Sequence, residues 1–183
     1  LSWIIEKLLS AFIIVIPILF QPELRHMLEE LGKGHLWRSG KDGKEIDVRA
    51  DQLVKAMIYC QSQRIGAITV LQRNTSLKEV WRTAVLLKAD ITEELLVSIF
   101  WPGTPLHDGA VIVQGNRVAS ATCYLPLSDN MGISKDLGTR HRAAVGVSEA
   151  SDSVTIVVSE ETGRVTVASG GQLRRVASGD ELR

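Results

Sequence analysis

"AVIVQGNRVASATCYL", residues 110–125, decides the fold. The apolar run 110–113 reads as a strand, Gly115-Asn116 as a tight turn, and 117–125 as the returning strand. A two-residue turn carrying Gly between apolar segments joins antiparallel neighbours, so this stretch is a hairpin. Upstream, "IGAITVL" (65–71) is a short β-branched run closed by "QRNTS", which predicts a buried strand. "DVRADQLVKAMIYCQSQ" (47–63) repeats Leu53, Val54, Met57 and Ile58 at helical spacing. "DITEELLVSIF" (90–100) predicts a second helix, with Asp90 as N-cap and Glu93 in the capping-box position. Downstream, 138–149 reads as a helix of small residues with Thr139 as N-cap. "SVTIVVS" (153–159) and "RVTVAS" (164–169) read as a second hairpin joined by "EETG". The order helix, strand, helix, hairpin, helix, hairpin predicts an α/β domain: a mixed parallel and antiparallel twisted sheet flanked by helices.

The 183 residues suffice for one domain with its own core. Lys+Arg and Asp+Glu balance at 21 each, so no overall basic field argues for a nucleic-acid partner. Cys60 and Cys123 are distant and in no C-x-x-C pairing, which excludes a disulfide framework and a cysteine zinc site. Both fall in apolar patterns and are expected to be buried thiols in a reducing compartment.

The apolar excess gathers in "LSWIIEKLLSAFIIVIPILF" (1–20), close to the ~20 residues a bilayer span needs. It reads as a transmembrane or membrane-edge helix; a buried core helix is the alternative. No small-residue cleavage site follows it, so it is no signal peptide. Because the chain opens on Leu1 rather than Met, the expectation is a piece of a longer protein. Arg25, His26, Lys33 and Arg38 come next, and basic residues beside a span favour the cytoplasmic side. The expected organisation is an anchor and following helix (1–31), a glycine-rich charged linker (32–46), a domain (47–169) and a polar, mobile tail (170–183).

Three clusters have chemistry available. His107 and Asp108 precede a strand in a turn loosened by Gly109. An imidazole beside a carboxylate is half a site for Mn²⁺ or Mg²⁺, and an Asp takes a proton from a hydroxyl. The same residues also fit an ordinary Asp-Gly turn with a half-buried His. Thr139, Arg140, His141 and Arg142 open a helix, where free N–H groups and guanidiniums favour a phosphate. Positions two apart on a helix diverge, so Arg140 and Arg142 do not grip one phosphate: one serves the ligand, the other a salt bridge. A solvated charged face is the alternative. Ser159, Glu160 and Glu161 end a strand; they suit phosphate and metal, or simply a polar turn. P-loop, G-x-G-x-x-G, G-x-S-x-G and H-E-x-x-H patterns are all absent.

"PLHDGAVIV", "YLPLS", "GTRHRAAVG" and "TIVVSEETG" together resemble the diadenylate cyclase (DAC, DisA_N) domain, and "FQPELRHMLEELG" resembles its membrane-anchored CdaA type. The resemblance covers roughly residues 20–168. It implies the DAC fold, and condensation of two ATP into cyclic di-AMP, a bacterial second messenger, plus two pyrophosphates. It implies a divalent cation (Mn²⁺ or Mg²⁺), a face-to-face homodimer with one ATP per domain, and a bacterial cell membrane with the domain on the cytoplasmic side. A membrane regulatory protein and phosphoglucosamine mutase are the protein partners it implies. Carried over by position, Asp108, Arg140 and His141 are catalytic. Gly109, Ala110, Tyr124, Leu125, Thr139, Arg140, His141, Arg142 and Ser159 bind ATP. His107, Asp108 and Glu160 hold metal, with Glu161 a weaker candidate. The sequence departs from the family at Gln72 and Ser76 and across "TAVLLKADI" (83–91), which raises a weakened, nucleotide-binding regulatory module as the alternative.

Overall fold

The computed structural model describes residues 3, 5–7, 12, 43–130, 137–176 and 182, with the backbone alone at 43–48, 82 and 83. The chain divides into Leu1–Asp42 and Gly43–Arg183, and the sheet belongs to the second unit. Its order is α1 (Gly43–Gln63), β1 (Ala67–Gln72), a 3-10 turn (Val80–Thr83), β2 (Val85–Asp90), α2 (Glu93–Phe100), β3 (Ala110–Gln114), β4 (Arg117–Cys123), α3 (Thr139–Ala150), β5 (Val154–Val158), β6 (Val165–Ser169) and β7 (Gln172–Arg175).

The seven strands lie in the order β2-β4-β3-β1-β5-β6-β7. β1 and β3 run parallel, with Thr69 opposite Val111; the other pairings are antiparallel. The parallel pair needs a crossover, which β2 and α2 supply. Both faces are covered, so the central strands are apolar throughout rather than alternating. Ala67, Val111, Val113, Ile156 and Val158 meet Leu53, Met57, Cys60, Leu96 and Phe100 on the α1/α2 side. Ile68, Val70, Ala110, Ile112 and Val157 meet Ala144 and Val147 of α3 on the other. The small residues of α3 let it lie close to the sheet. Both cysteines are buried free thiols, as their apolar surroundings imply; burial pushes the Cys60 thiol up to about 11.

Several boundaries differ from those the sequence suggests. α1 begins at Gly43, inside the expected linker. Asp90 does not cap α2: it ends β2 and faces Arg117 at 3.4 Å, while Thr92 accepts from the N–H of Leu95 at 3.2 Å. Gly138, not Thr139, is the N-cap of α3, and Thr139 is its first helical residue. β2 was not foreseen, and neither was β7, which occupies part of the expected tail. Gly170 and Gly171, both at positive φ, form the two-residue turn that joins β7 to β6. The expected membrane helix, and the linker before Gly43, fall almost wholly outside the described residues. Among the described residues no helix is long and apolar enough to cross a membrane.

Candidate functional site

The start of β3, the end of β4 and the N-terminus of α3 enclose an open hollow of about 420 Å³. Ile68, Ala110, Cys123 and Ala143 supply apolar surface, Tyr124, Leu125 and Leu127 a wall, and Asp108, Thr139, Arg140 and Glu160 the polar groups. Local backbone shape puts Asp108 there. Gly109 has φ +104, and a Cβ on it would stand 2.8 Å from the Thr122 carbonyl carbon. Only glycine lets the Asp-Gly turn lie so close to β4. Thr122 itself sits at φ +56, where the β3–β4 register is irregular. Beyond that irregularity Tyr124 is 67% exposed, its ring free at the rim.

His107 is half-buried and lies just outside the lining. Its Nδ1 donates to the Thr104 carbonyl at 2.5 Å. With Nδ1 as the donor, a neutral ring carries its lone pair on Nε2, the arrangement a metal-binding imidazole adopts. Asp108 is adjacent and exposed.

Opposite, Arg140 Nη1 donates to Glu160 Oε2 at 2.7 Å. Glu160, read from sequence as a metal contact, lines the hollow with Oε2 on Arg140 and its second oxygen, Oε1, outside that contact. Arg142 points elsewhere: its Nη2 donates to the Ser128 carbonyl at 3.1 Å, and its own carbonyl accepts from Ser128 N–H at 3.0 Å. The two arginines do diverge, but Arg142 holds the 126–128 segment rather than a carboxylate. Gly146 makes room for that segment, since a Cβ there would overlap Pro126, Leu127 and Ser128 backbone.

His141 and Ser159 are not brought to this hollow. They line a second one, about 330 Å³, with Leu137, Thr162, Thr166 and Arg175. His141 is only 5% exposed; burial holds its imidazole below the usual range, with the charge of Glu161 opposing. Ser159 Oγ accepts from Thr162 N–H at 3.3 Å, so it serves its own turn. Glu161 lines neither hollow. Burial also raises Cys123 above the usual thiol range, with a hydrogen bond to Ser120 opposing. It therefore contributes apolar surface, not a nucleophile.

Gln72, Ser76 and residues 83–91 line no part of the 420 Å³ hollow. Gln72 Oε1 instead accepts from Leu77 N–H at 3.3 Å, closing its own loop. Sequence reasoning missed the lining residues Ile68, Cys123, Leu127 and Ala143, and also Gly66, which packs against Arg140 and Glu160; only Gly66, a glycine directly before a strand, carried a readable signal.

A mixed sheet with a carboxylate at one rim of an open hollow and a helix N-terminus with an arginine at the other makes an α/β domain whose hollow suits an anionic ligand such as a phosphate. Residues 54–173 match the family described as DisA bacterial checkpoint controller nucleotide-binding (DAC), and the chain belongs to that family. The cyclic di-AMP synthase CdaA of Bacillus subtilis is 47% identical over 185 aligned positions, covering 100% of this chain and 68% of its own length. A diadenylate cyclase of Listeria monocytogenes is also 47% identical, covering 99% and 67%. A crystal structure of a double cysteine mutant of Staphylococcus aureus DacA superposes with a TM-score of 0.74 at 47% identity, covering 76% of this chain and 93% of that one. A Bacillus cereus structure described as a hypothetical membrane spanning protein gives 0.68 at 34% identity, covering 97% and 90%.

Proposed function

We propose that the chain is a diadenylate cyclase, which condenses two ATP into cyclic di-AMP and releases two pyrophosphates. The observation that carries this is the shared hollow: Asp108 and Arg140 face it from opposite rims, in a chain of this family. Tyr124 and Leu125 suit the adenine, through an exposed ring and an apolar wall. Thr139, the N-terminus of α3 and Arg140 meet the triphosphate. Asp108 takes the proton of the ribose 3′-hydroxyl. The freed oxygen bonds to the α-phosphorus of the second ATP, the bond from that phosphorus to the β-bridging oxygen breaks, and pyrophosphate leaves with the electron pair. Repeating the step in the opposite sense closes the ring.

One hollow holds one nucleotide, so the reaction needs two copies face to face, and a two-fold axis supplies that with a single surface. His107 Nε2 and the Asp108 carboxylate are donors suited to Mn²⁺ or Mg²⁺, with substrate phosphate oxygens to complete the set; no cluster of three protein ligands occurs among the described residues. Such a cation, when bound, offsets phosphate charge. Membrane attachment with the domain on the cytoplasmic side is supported by the apolar run 1–20 and the basic residues after it. That Gln72, Ser76 and 83–91 lie away from the hollow favours an active cyclase over a weakened module.

Incubating the purified protein with ATP and Mn²⁺ and resolving the products tests the reading. Cyclic di-AMP, with a rate per protomer that rises with protein concentration, is expected. ADP or AMP instead would make the chain a nucleotide hydrolase, and no product despite ATP binding would make it a regulatory module.

A further inference from the structure

We infer that Gly66 is a positioning residue for the triphosphate end of the site: its missing side chain is the seat on which the Arg140–Glu160 pair rests. This builds on the cyclase reading and deepens it. Gly66 is buried between Ile65 and the first residue of β1. A Cβ built there would stand 2.6 Å from Arg140 Nη1, 2.7 Å from its Cζ and 2.8 Å from Glu160 Oε2. Carbon does not approach other heavy atoms that closely, so the pair and a side chain at 66 exclude each other. Gly66 is not among the glycines at positive φ, so the backbone would accept alanine. Space, not conformation, is what glycine provides here.

The atoms in the way are the far ends of two long side chains, and they swing aside at little cost in stability. What is lost is their location. Arg140 is 26% exposed and Glu160 59%, so the arginine lies inward, against the chain at residue 66, and the glutamate closes over it from the solvent side. Glu160 engages Nη1, while the guanidinium has five N–H donors; the rest remain for phosphate oxygens. Glu160 and Gly66 thus hold Arg140 in one place before the nucleotide arrives, which spares the ordering of a flexible arginine on binding.

The test measures the affinity of two ligands in the presence of Mg²⁺: an ATP analogue with a methylene bridge between the α and β phosphorus atoms, and adenosine, which has no phosphate. Gly66→Ala is expected to weaken the analogue about tenfold, leave adenosine unchanged, and keep the melting temperature. In an Arg140→Ala background, adding Gly66→Ala is expected to do nothing further, because the arginine it displaces is already gone. Equal loss for both ligands, or full loss persisting without Arg140, would overturn the positioning role in favour of general damage. An unchanged analogue affinity in Gly66→Ala would overturn it outright while leaving the cyclase reading standing. A wild-type protein that binds neither ligand would sink both.

Discussion

Arg140 and His141 are consecutive, yet they face different hollows on either side of the α3 N-terminus. Arg140 is partly exposed, paired with Glu160, and looks across open space at Asp108 and Tyr124. His141 is buried beside β6 and β7, and burial holds its imidazole below the usual range. The start of the helix therefore presents two consecutive side chains to two hollows: Arg140 to the open one it shares with Asp108, His141 to the one beside β6 and β7. Adjacency in a charged motif does not make a shared site, because successive helical side chains point about 100° apart.

The largest expected effect is on the first side. Asp108→Asn should lower cyclic di-AMP formation by roughly 10²–10⁴-fold with the melting temperature unchanged, read by product chromatography and circular dichroism. Unaltered turnover would remove the carboxylate from the mechanism. Next, Arg140→Ala should weaken ATP by about ten- to a hundredfold, the worth of a charged hydrogen bond, in calorimetric titration. His141→Ala should weaken ATP far less while costing about 1–3 kcal/mol of folding stability in urea titration. The reverse ranking would erase the distinction between the two sides.

Acid should report on the second side. The folded pKa of His141 lies below its ordinary value, so below about pH 6.5 the unfolded chain binds the proton more readily. Its contribution is fully present above that pH and is lost as the pH falls. Wild type should therefore lose more stability than His141→Gln between pH 7.5 and 5.5 in paired urea melts, and parallel losses would exclude the effect. The smallest change expected is at Asp152, whose carboxylate accepts from Asn74 and Thr75 N–H at 3.0 and 2.9 Å. Burial would raise its pKa, but these hydrogen bonds outweigh that and hold it below the usual range. Asp152→Asn should cost under about 1 kcal/mol, since the group is exposed, and should leave ATP affinity untouched.

The sheet core was legible because β1, β3, β5 and β6 are continuous β-branched runs between turn residues, the pattern of strands covered on both faces. β2 escaped because it is an edge strand with an irregular register against β4 and exposed Val85 and Leu86, so neither alternation nor a buried run marks it. β7 escaped because "QLRR" is polar, although the Gly-Gly before it is a recognised hairpin signal. In the site, Asp108, Thr139 and Arg140 were readable from local chemistry. The diversion of His141, Ser159 and Arg142 was not, because it depends on what β6, β7 and the 126–128 segment place next to them. Gly66 matters through side chains that come from 74 and 94 positions away in the chain.

A crystal structure of the protein with the methylene-bridged ATP analogue and Mg²⁺ is the measurement to make. The triphosphate should lie between Thr139, Arg140 and Asp108, with adenine against Tyr124 and Leu125. Phosphates seated instead beside Ser159, His141 and Thr166 would contradict the division of labour at the end of α3.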